Sequence, residues 1–236
     1  MYGFGLAMYS LEKALFKEGS ILAKMVAITQ ASTSLAEVES RFSLRRSADN
    51  RFFEEWKTID EPIEPAKKEA LSIVYRRLQY HRADGELLEG AVTLLVVAPL
   101  LELSGFYDPP FKLRSEASVE IAIDDGEETL RGRIDALILQ GHLWVIALEA
   151  KKTTIPLRSA LPQLLTYLMA NPKIEQVDSK QPGFGVITNG DEVLFVKVVC
   201  QPSAQYGLSR AFSIYTDASE IFQVLSVLKA IGQTIV

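Results

Sequence analysis

Apolar and charged positions recur about every 3.6 residues through LEKALFKEGSILAKMVAITQ and SLAEVESRFSLRR, which predicts helices over much of residues 1–80. The prolines of DEPIEP mark a turn. After it, PAKKEALSIVYRRLQYHR carries the stripe of an amphipathic helix, and Ala83-Asp84-Gly85 breaks it. The next helix, GELLEGAVTLLVVAPLLELSG, is apolar almost all round, so it is expected to pack on more than one side. Pro99 predicts a kink within it. Its most hydrophobic run, Ala91 to Leu101, is too short to cross a bilayer and reads as buried helix. FYDPPF reads as a rigid loop.

Beyond that loop the period falls to two. ASVEIAI alternates, DDGEE turns the chain, and TLRGRIDALIL followed by HLWVIALEAKK reads as a hairpin with Gln140-Gly141-His142 at its tip. Helical spacing returns in SALPQLLTYLMA and ends before Asn171-Pro172. GFGVITNGDEVLFVKVV is a second hairpin turning at Asn189-Gly190, and DASEIFQVLSVLKAIG closes the chain as a helix. This order predicts an α/β protein, a mixed sheet flanked by helices (residues 85–236), behind a helical N-terminal extension (residues 1–84).

Composition adds limits. With 236 residues, 48% of them hydrophobic, the chain can bury one substantial core. A net charge of −5 does not advertise a polyanion partner, so nucleic-acid contact has to come from a local basic cluster. The one cysteine, Cys200, makes an internal disulfide impossible, fits a reducing cytoplasm, and reads as an inert thiol at a strand end. His81 and His142 stand alone, without zinc-ligand spacing, so neither a Ser-His-Asp nor a Cys-His apparatus is indicated. The N-terminus carries charges where a signal peptide is apolar, and no membrane segment is expected. Met25 opens a segment that could itself be a translation start, which sets residues 1–24 apart from the fold.

The chemistry concentrates in RGRIDALILQGHLWVIALEAKK. Glu149 and Lys151 are two apart on a strand and so share a face, and a hairpin closed around Gly141 brings Asp135 roughly opposite Ala147 on that same face. Two carboxylates held together repel unless protonated or bridged by a cation, and oxygen ligands favour Mg²⁺, with Mn²⁺ as the alternative, over zinc. A simple ion pair explains the same residues, and spacing alone leaves both readings open. Gln163 and Tyr167, i and i+4 on the following helix, can point back to the strand end or form the polar stripe of an amphipathic helix. Glu89 is either a third carboxylate near a metal or an exposed first-turn acid. Arg131, Arg133, Lys152 and Arg158 would draw in a phosphate backbone, or Arg131 and Arg133, which share a strand face with Asp135, would simply neutralise the acids.

IDALI, LWVIALEAKK and PQLLTY together resemble the PD-(D/E)XK nuclease superfamily, and look most like the nuclease domain of type I restriction-enzyme motor subunits and its stand-alone relatives. LLEGAVTLLVVAPLLELSGF and ITNG are similar to that group's opening helix and later hairpin, so the resemblance spans roughly residues 85–200. It implies a restriction-endonuclease-like fold and Mg²⁺-dependent DNA cleavage. Asp135 and Glu149 would bind the metal, Lys151 would act on the water, Gln163 and Tyr167 would support the site or contact DNA, and Glu89 would be an accessory acid. A separate motor or specificity subunit and a homodimer are the partners it suggests. The sequence departs from the pattern at Ile134, where the family has proline, and it lacks a P-loop, so this chain alone is no ATP-driven translocase. The alternative is a catalytically silent module that keeps the fold for nucleic-acid binding or assembly.

Overall fold

The computed structural model describes residues 24–31, 34–57, 62–123, 128–140, 143–171 and 181–235. The tip at Gly141-His142, most of the DDGEE turn and residues 1–23 lie outside them. The first described element is a strand, β1 (Lys24–Ala27), where helical spacing was expected. Short helices α1 (Ile28–Ala31) and α2 (Leu35–Arg41) follow, then a second unexpected strand, β2 (Arg45–Arg46). Pairing with distant strands decides both departures: β1 runs parallel to residues 128–131, and β2 parallel to residues 205–206. Such tertiary partners override a weak local propensity.

The amphipathic helix is α3 (Pro65–Arg82), with its proline at the first turn, where a missing N–H costs nothing. The apolar helix consists of α4 (Glu89–Val92), a π-helical stretch Thr93–Val97, and α5 (Ala98–Leu103). In the π turn the Ala98 N–H reaches back to the Thr93 carbonyl, an adjustment that falls just before Pro99, whose missing N–H interrupts the ladder. One edge of this helix faces solvent, with Leu94 73% exposed, so it is not enclosed on all sides.

The strands are β3 (Phe111–Ile123), β4 (Glu128–Gln140) and β5 (Leu143–Ala150); after helix α6 (Leu161–Met169) come β6 (Gly183–Thr188), β7 (Glu192–Val199), β8 (Gln205–Leu208) and β9 (Phe212–Ser213). Helix α7 (Glu220–Ile235) ends the described chain. β3 starts inside the expected loop, and β8 and β9 are too short to show a period. The described strands form one mixed sheet in the order β1-β4-β5-β6-β7-β8-β2, with β3 along the outer edge of β4 and β9 on β7. Among the described strands β1–β4, β2–β8 and β5–β6 are the parallel pairs, and α6 provides the crossover between β5 and β6.

Side-chain alternation in β5 shows how the layers form. Ile146 and Leu148 join a core with α3, the Glu89–Leu103 helix and α7, whereas Ala147 joins a second core with α6, Ile28, Val38 and Leu44. Helices therefore cover both faces of the sheet, the α/β architecture expected, and consistent with a restriction-endonuclease-like fold. The segment before residue 85 is woven into it: Ile28, Val38 and Leu44 complete one core, and Leu71, Val74 and Leu78 the other.

Candidate active site

Two irregularities place Asp135. The β4–β5 ladder pairs Ala136 with Leu148 and Ile138 with Ile146, then shifts between Ile138 and Leu139 so that Leu139 pairs with Trp144. The ladder opens at Gln140–Leu143, one step off a simple hairpin around Gly141, and this β-bulge adds a second step. Continued by one step, the ladder sets Asp135 level with Glu149, not Ala147. On the other edge, the β3–β4 ladder pairs Ser115 with Ala136 and Ala117 with Ile134 but skips Glu116, whose φ is +50°. Leu130 and Ile134 lie in the same core as Leu137 and Leu139, so alternation along β4 slips by one in between. Asp135 thus sits at a kink, and its Oδ2 accepts a hydrogen bond from the backbone N–H of Ala150 at 2.7 Å. A side chain replaces the missing ladder partner at the point where β4 and β5 part.

Glu149 follows on β5, only 2% exposed. Its Oε1 accepts a 2.6 Å charge-assisted hydrogen bond from Lys151 Nζ, while its Oε2 is buried with no partner among the described residues. Burial, and then the nearby Asp135 charge, push its carboxyl up to about 7. Burial also raises Asp135, against the pull of the Ala150 N–H and of Lys151. For Lys151, burial acts downward, but the hydrogen bond and charge of Glu149, with Glu89 and Asp135, leave it above its ordinary value and therefore a cation.

Helix α6 supplies the remaining wall. Gln163 Nε2 donates to the Tyr167 hydroxyl at 2.9 Å, and that hydroxyl donates to the carbonyl of Arg133 at 2.9 Å. The buried phenol is thereby satisfied in both its roles. Gly132 makes room for it: a Cβ there would lie 2.6 Å from Tyr167 Cε1 and 2.8 Å from Ile28 Cδ1. Asp135, Glu149, Lys151, Gln163, Tyr167 and Glu89 all line a single cleft of about 540 Å³, together with Arg131 and Arg133.

The sequence also singled out residues whose roles the structure redistributes. Arg131 binds Glu120 at 2.8 Å and Arg133 binds Glu116 at 3.3 Å, both across to β3, so neither is an ion-pair partner of Asp135 or Glu149. Their assumed common face with Asp135 is lost at the kink. Lys152 lies 3.8 Å from Glu86, and neither it nor the exposed Arg158 lines the cleft. Glu89 is in the first turn of α4, more than half exposed, with its carboxylate 3.8 Å from Lys151 Nζ. His81 is exposed, and Cys200 is half-buried just beyond β7, its Sγ 4.0 Å from the Met169 sulfur.

Other residues that hold the site have no catalytic signature. Thr153 and Leu87 are joined by two hydrogen bonds, Thr153 N to Leu87 O and Leu87 N to Thr153 Oγ1, which tie the segment after Lys151 to the approach of Glu89. Buried Asn189 accepts from the N–H groups of Asp191 and Glu192 and donates to the carbonyls of Thr153 and Ile155. The Asn-Gly pair shows in sequence as a turn, but the outward half of that network does not. Gly132 left a clearer trace, since a glycine inside a strand marks a bulge or a close approach.

A divalent cation fits this donor set in one respect: the unpartnered, buried Oε2 of Glu149 beside Asp135 is an acceptor that lacks a positive partner. Among the described residues no three acids, histidines or cysteines are grouped to hold a metal by themselves. Two carboxylates with water and substrate oxygens completing the shell is the usual mode for Mg²⁺.

No helix among the described residues is long and apolar enough to cross a membrane. No protein-family model matches the chain, and no curated protein matches it. Among solved structures it is similar to a fragment described as the HsdR subunit of a type I restriction enzyme from Vibrio vulnificus YJ016, with a TM-score of 0.37 and 21% identity over 60% of this chain. The matched part is 26% of the Vibrio chain, so the present chain spans about a quarter of the structure it matches.

Proposed function

We propose that the protein is a Mg²⁺-dependent endonuclease of the PD-(D/E)XK type that hydrolyses DNA phosphodiester bonds, related to the nuclease domains of type I restriction enzymes. One observation carries this reading: a nearly buried glutamate beside a second carboxylate, with one oxygen on a lysine and the other on nothing. Burying charge in that state is unfavourable for stability alone, and the arrangement makes sense as a site awaiting a cation and a phosphate. Asp135 and Glu149 would hold the Mg²⁺, which supplies Lewis-acid polarisation of the phosphoryl group and a more acidic water. Lys151, a cation in this setting, orients the attacking water and stabilises the negative charge that grows on the phosphoryl oxygens. Water adds to phosphorus, and the bond to the leaving sugar oxygen breaks. Gln163 and Tyr167 fix the Arg133 carbonyl and so the strand that carries Asp135. A motor or specificity subunit and a second copy are the partners this reading entails, and the cytoplasm is its natural compartment.

The tight Lys151–Glu149 ion pair and the lack of a three-ligand cluster among the described residues favour a second reading, a silent module with a closed ion pair. Plasmid cleavage with Mg²⁺, run beside Lys151→Ala, separates the two. The nuclease reading expects nicking or linearisation by the wild type and a loss of about 10²–10⁴-fold in the variant. Equal inertness on varied DNA substrates, with no thermal stabilisation by Mg²⁺, would leave the silent module standing.

A further inference from the structure

Glu89 lines the cleft without joining its carboxylate pair. Among the described residues no three acids are grouped to hold a metal, so a third ligand is not what its position offers. What it faces is Lys151. Glu89 Oε1 lies 3.8 Å from Lys151 Nζ, whose nearer acid is Glu149, with Oε1 at 2.6 Å.

That approach is built into the chain. Leu87 and Thr153 exchange two hydrogen bonds, and Glu86 accepts from the Thr154 hydroxyl at 2.8 Å. The segment before α4 therefore runs antiparallel to the segment after β5, residue 86 against 154 and 87 against 153. The same register, carried two residues further, sets 89 against 151. Two stretches of chain are thus ordered so that an acid meets a lysine, although the acid is 57% exposed and the lysine already holds a closer partner. An exposed pair at that distance adds little to stability.

A cation at Asp135 and Glu149 changes which partner Lys151 needs. The acids whose charge acts on Lys151 are Glu149, Glu89 and Asp135. A divalent ion shared by Glu149 and Asp135 competes with the ammonium for the Glu149 carboxylate and repels it at close range. Glu89 is the acid of the three left over. Its side chain is more than half exposed and can turn without repacking the core. Closing from 3.8 Å to an ordinary charge-assisted hydrogen bond takes a shift of about 1 Å.

We infer that Glu89 is a positioning residue that takes over Lys151 when a divalent cation occupies Glu149, and is not itself a ligand of that cation. The exchange keeps the ammonium in the cleft for the attacking water and frees Glu149 Oε1 for the ion. The inference rests on the metal-site part of the nuclease reading and deepens it.

Binding of Mn²⁺ to the full chain without DNA, read from the EPR signal of the free ion, tests it as a double-mutant cycle. Glu89→Gln should weaken Mn²⁺ binding by about 3- to 10-fold. In a Lys151→Met background the same substitution should change it by less than about 1.5-fold, because the ammonium that Glu89 serves is gone. Lys151→Gln, which keeps a neutral donor for Glu149, should give the same result and guards against a methionine variant that folds poorly. A third ligand, or a charge acting through space, would cost as much without Lys151 as with it. A larger loss in either lysine variant, or none with Lys151 present, overturns the role of Glu89 and leaves the metal site standing. No Mn²⁺ binding by the wild type removes both. Mn²⁺ bound with the expected coupling, but DNA never cut with Mg²⁺, removes catalysis and keeps the exchange.

Discussion

Glu149 and Asp135 are carboxylates that the fold would rather protonate. The folded value of Glu149, about 7, lies above the ordinary 4.5, so in the metal-free protein its contribution to stability is complete below the ordinary value. It is lost as pH rises through the folded value. The upward shift of Asp135 acts in the same direction. Metal-free wild type should lose stability relative to Glu149→Gln between the ordinary value of 4.5 and the folded value of about 7, by at most about 1.4 kcal/mol per pH unit, and level off above it. Urea melts of both proteins in EDTA across that range read this difference, and parallel stability curves would show that Glu149 is not held protonated. Gly132 is the second decisive residue. The added methyl of Gly132→Ala meets a Tyr167 ring pinned by two hydrogen bonds, so it cannot be absorbed by a small tilt. A cost of about 1–3 kcal/mol in a chemical melt is expected, with the Tyr167–Arg133 contact broken. A stability within error of wild type would mean that the Tyr167 ring is free to move.

At the scale of elements, much of this site was legible in the chain, and the missing parts have identifiable causes. The face shared by Glu149 and Lys151 follows from strand period alone, and the i, i+4 spacing of Gln163 and Tyr167 from helix period. Both survive in the structure, where Lys151 bonds Glu149 and Gln163 bonds Tyr167. The level of Asp135 was not legible. It depends on a bulge near Val145 and a left-handed Glu116, and neither a valine nor a glutamate announces such a departure. The strands β1 and β2 were hidden because each is defined by a partner more than a hundred residues away. The Asn189 network belongs to the same class, a turn residue whose side chain reaches outside its own turn. Asn189→Ala removes two part-buried acceptor contacts and two donor contacts, one of them buried. It should cost about 2–3 kcal/mol and loosen the segment after Lys151, seen as faster amide exchange at Thr153 and Leu87. Unchanged exchange there would show that the Thr153–Leu87 pair holds the segment by itself.

For the whole molecule, the question is what residues 24–84 do for a sheet whose candidate site residues begin at Glu89, when that segment gives the cleft wall Ala27 and Thr29. They close both faces. Ile28, Val38, Leu44, Leu71, Val74 and Leu78 are buried aliphatics from that segment, split between the two cores. At about 1.5–3 kcal/mol for each such side chain, their burial amounts to roughly 9–18 kcal/mol relative to a fully extended unfolded chain. That matches the whole net stability of a typical domain, about 5–15 kcal/mol. The segment also supplies β1 along part of β4 and the Arg82–Asp191 pair beneath the turn that receives Lys151. A fragment beginning at Gly85 would keep Asp135, Glu149, Lys151, Gln163 and Tyr167, yet leave the outer side of Tyr167 without Ile28 and the α7 core without α3. It should be aggregation-prone or lack a cooperative thermal transition, while a protein beginning at Lys24 should melt as one unit. A soluble, cooperatively melting fragment from Gly85 would show instead that the segment is an accessory layer on a domain already complete.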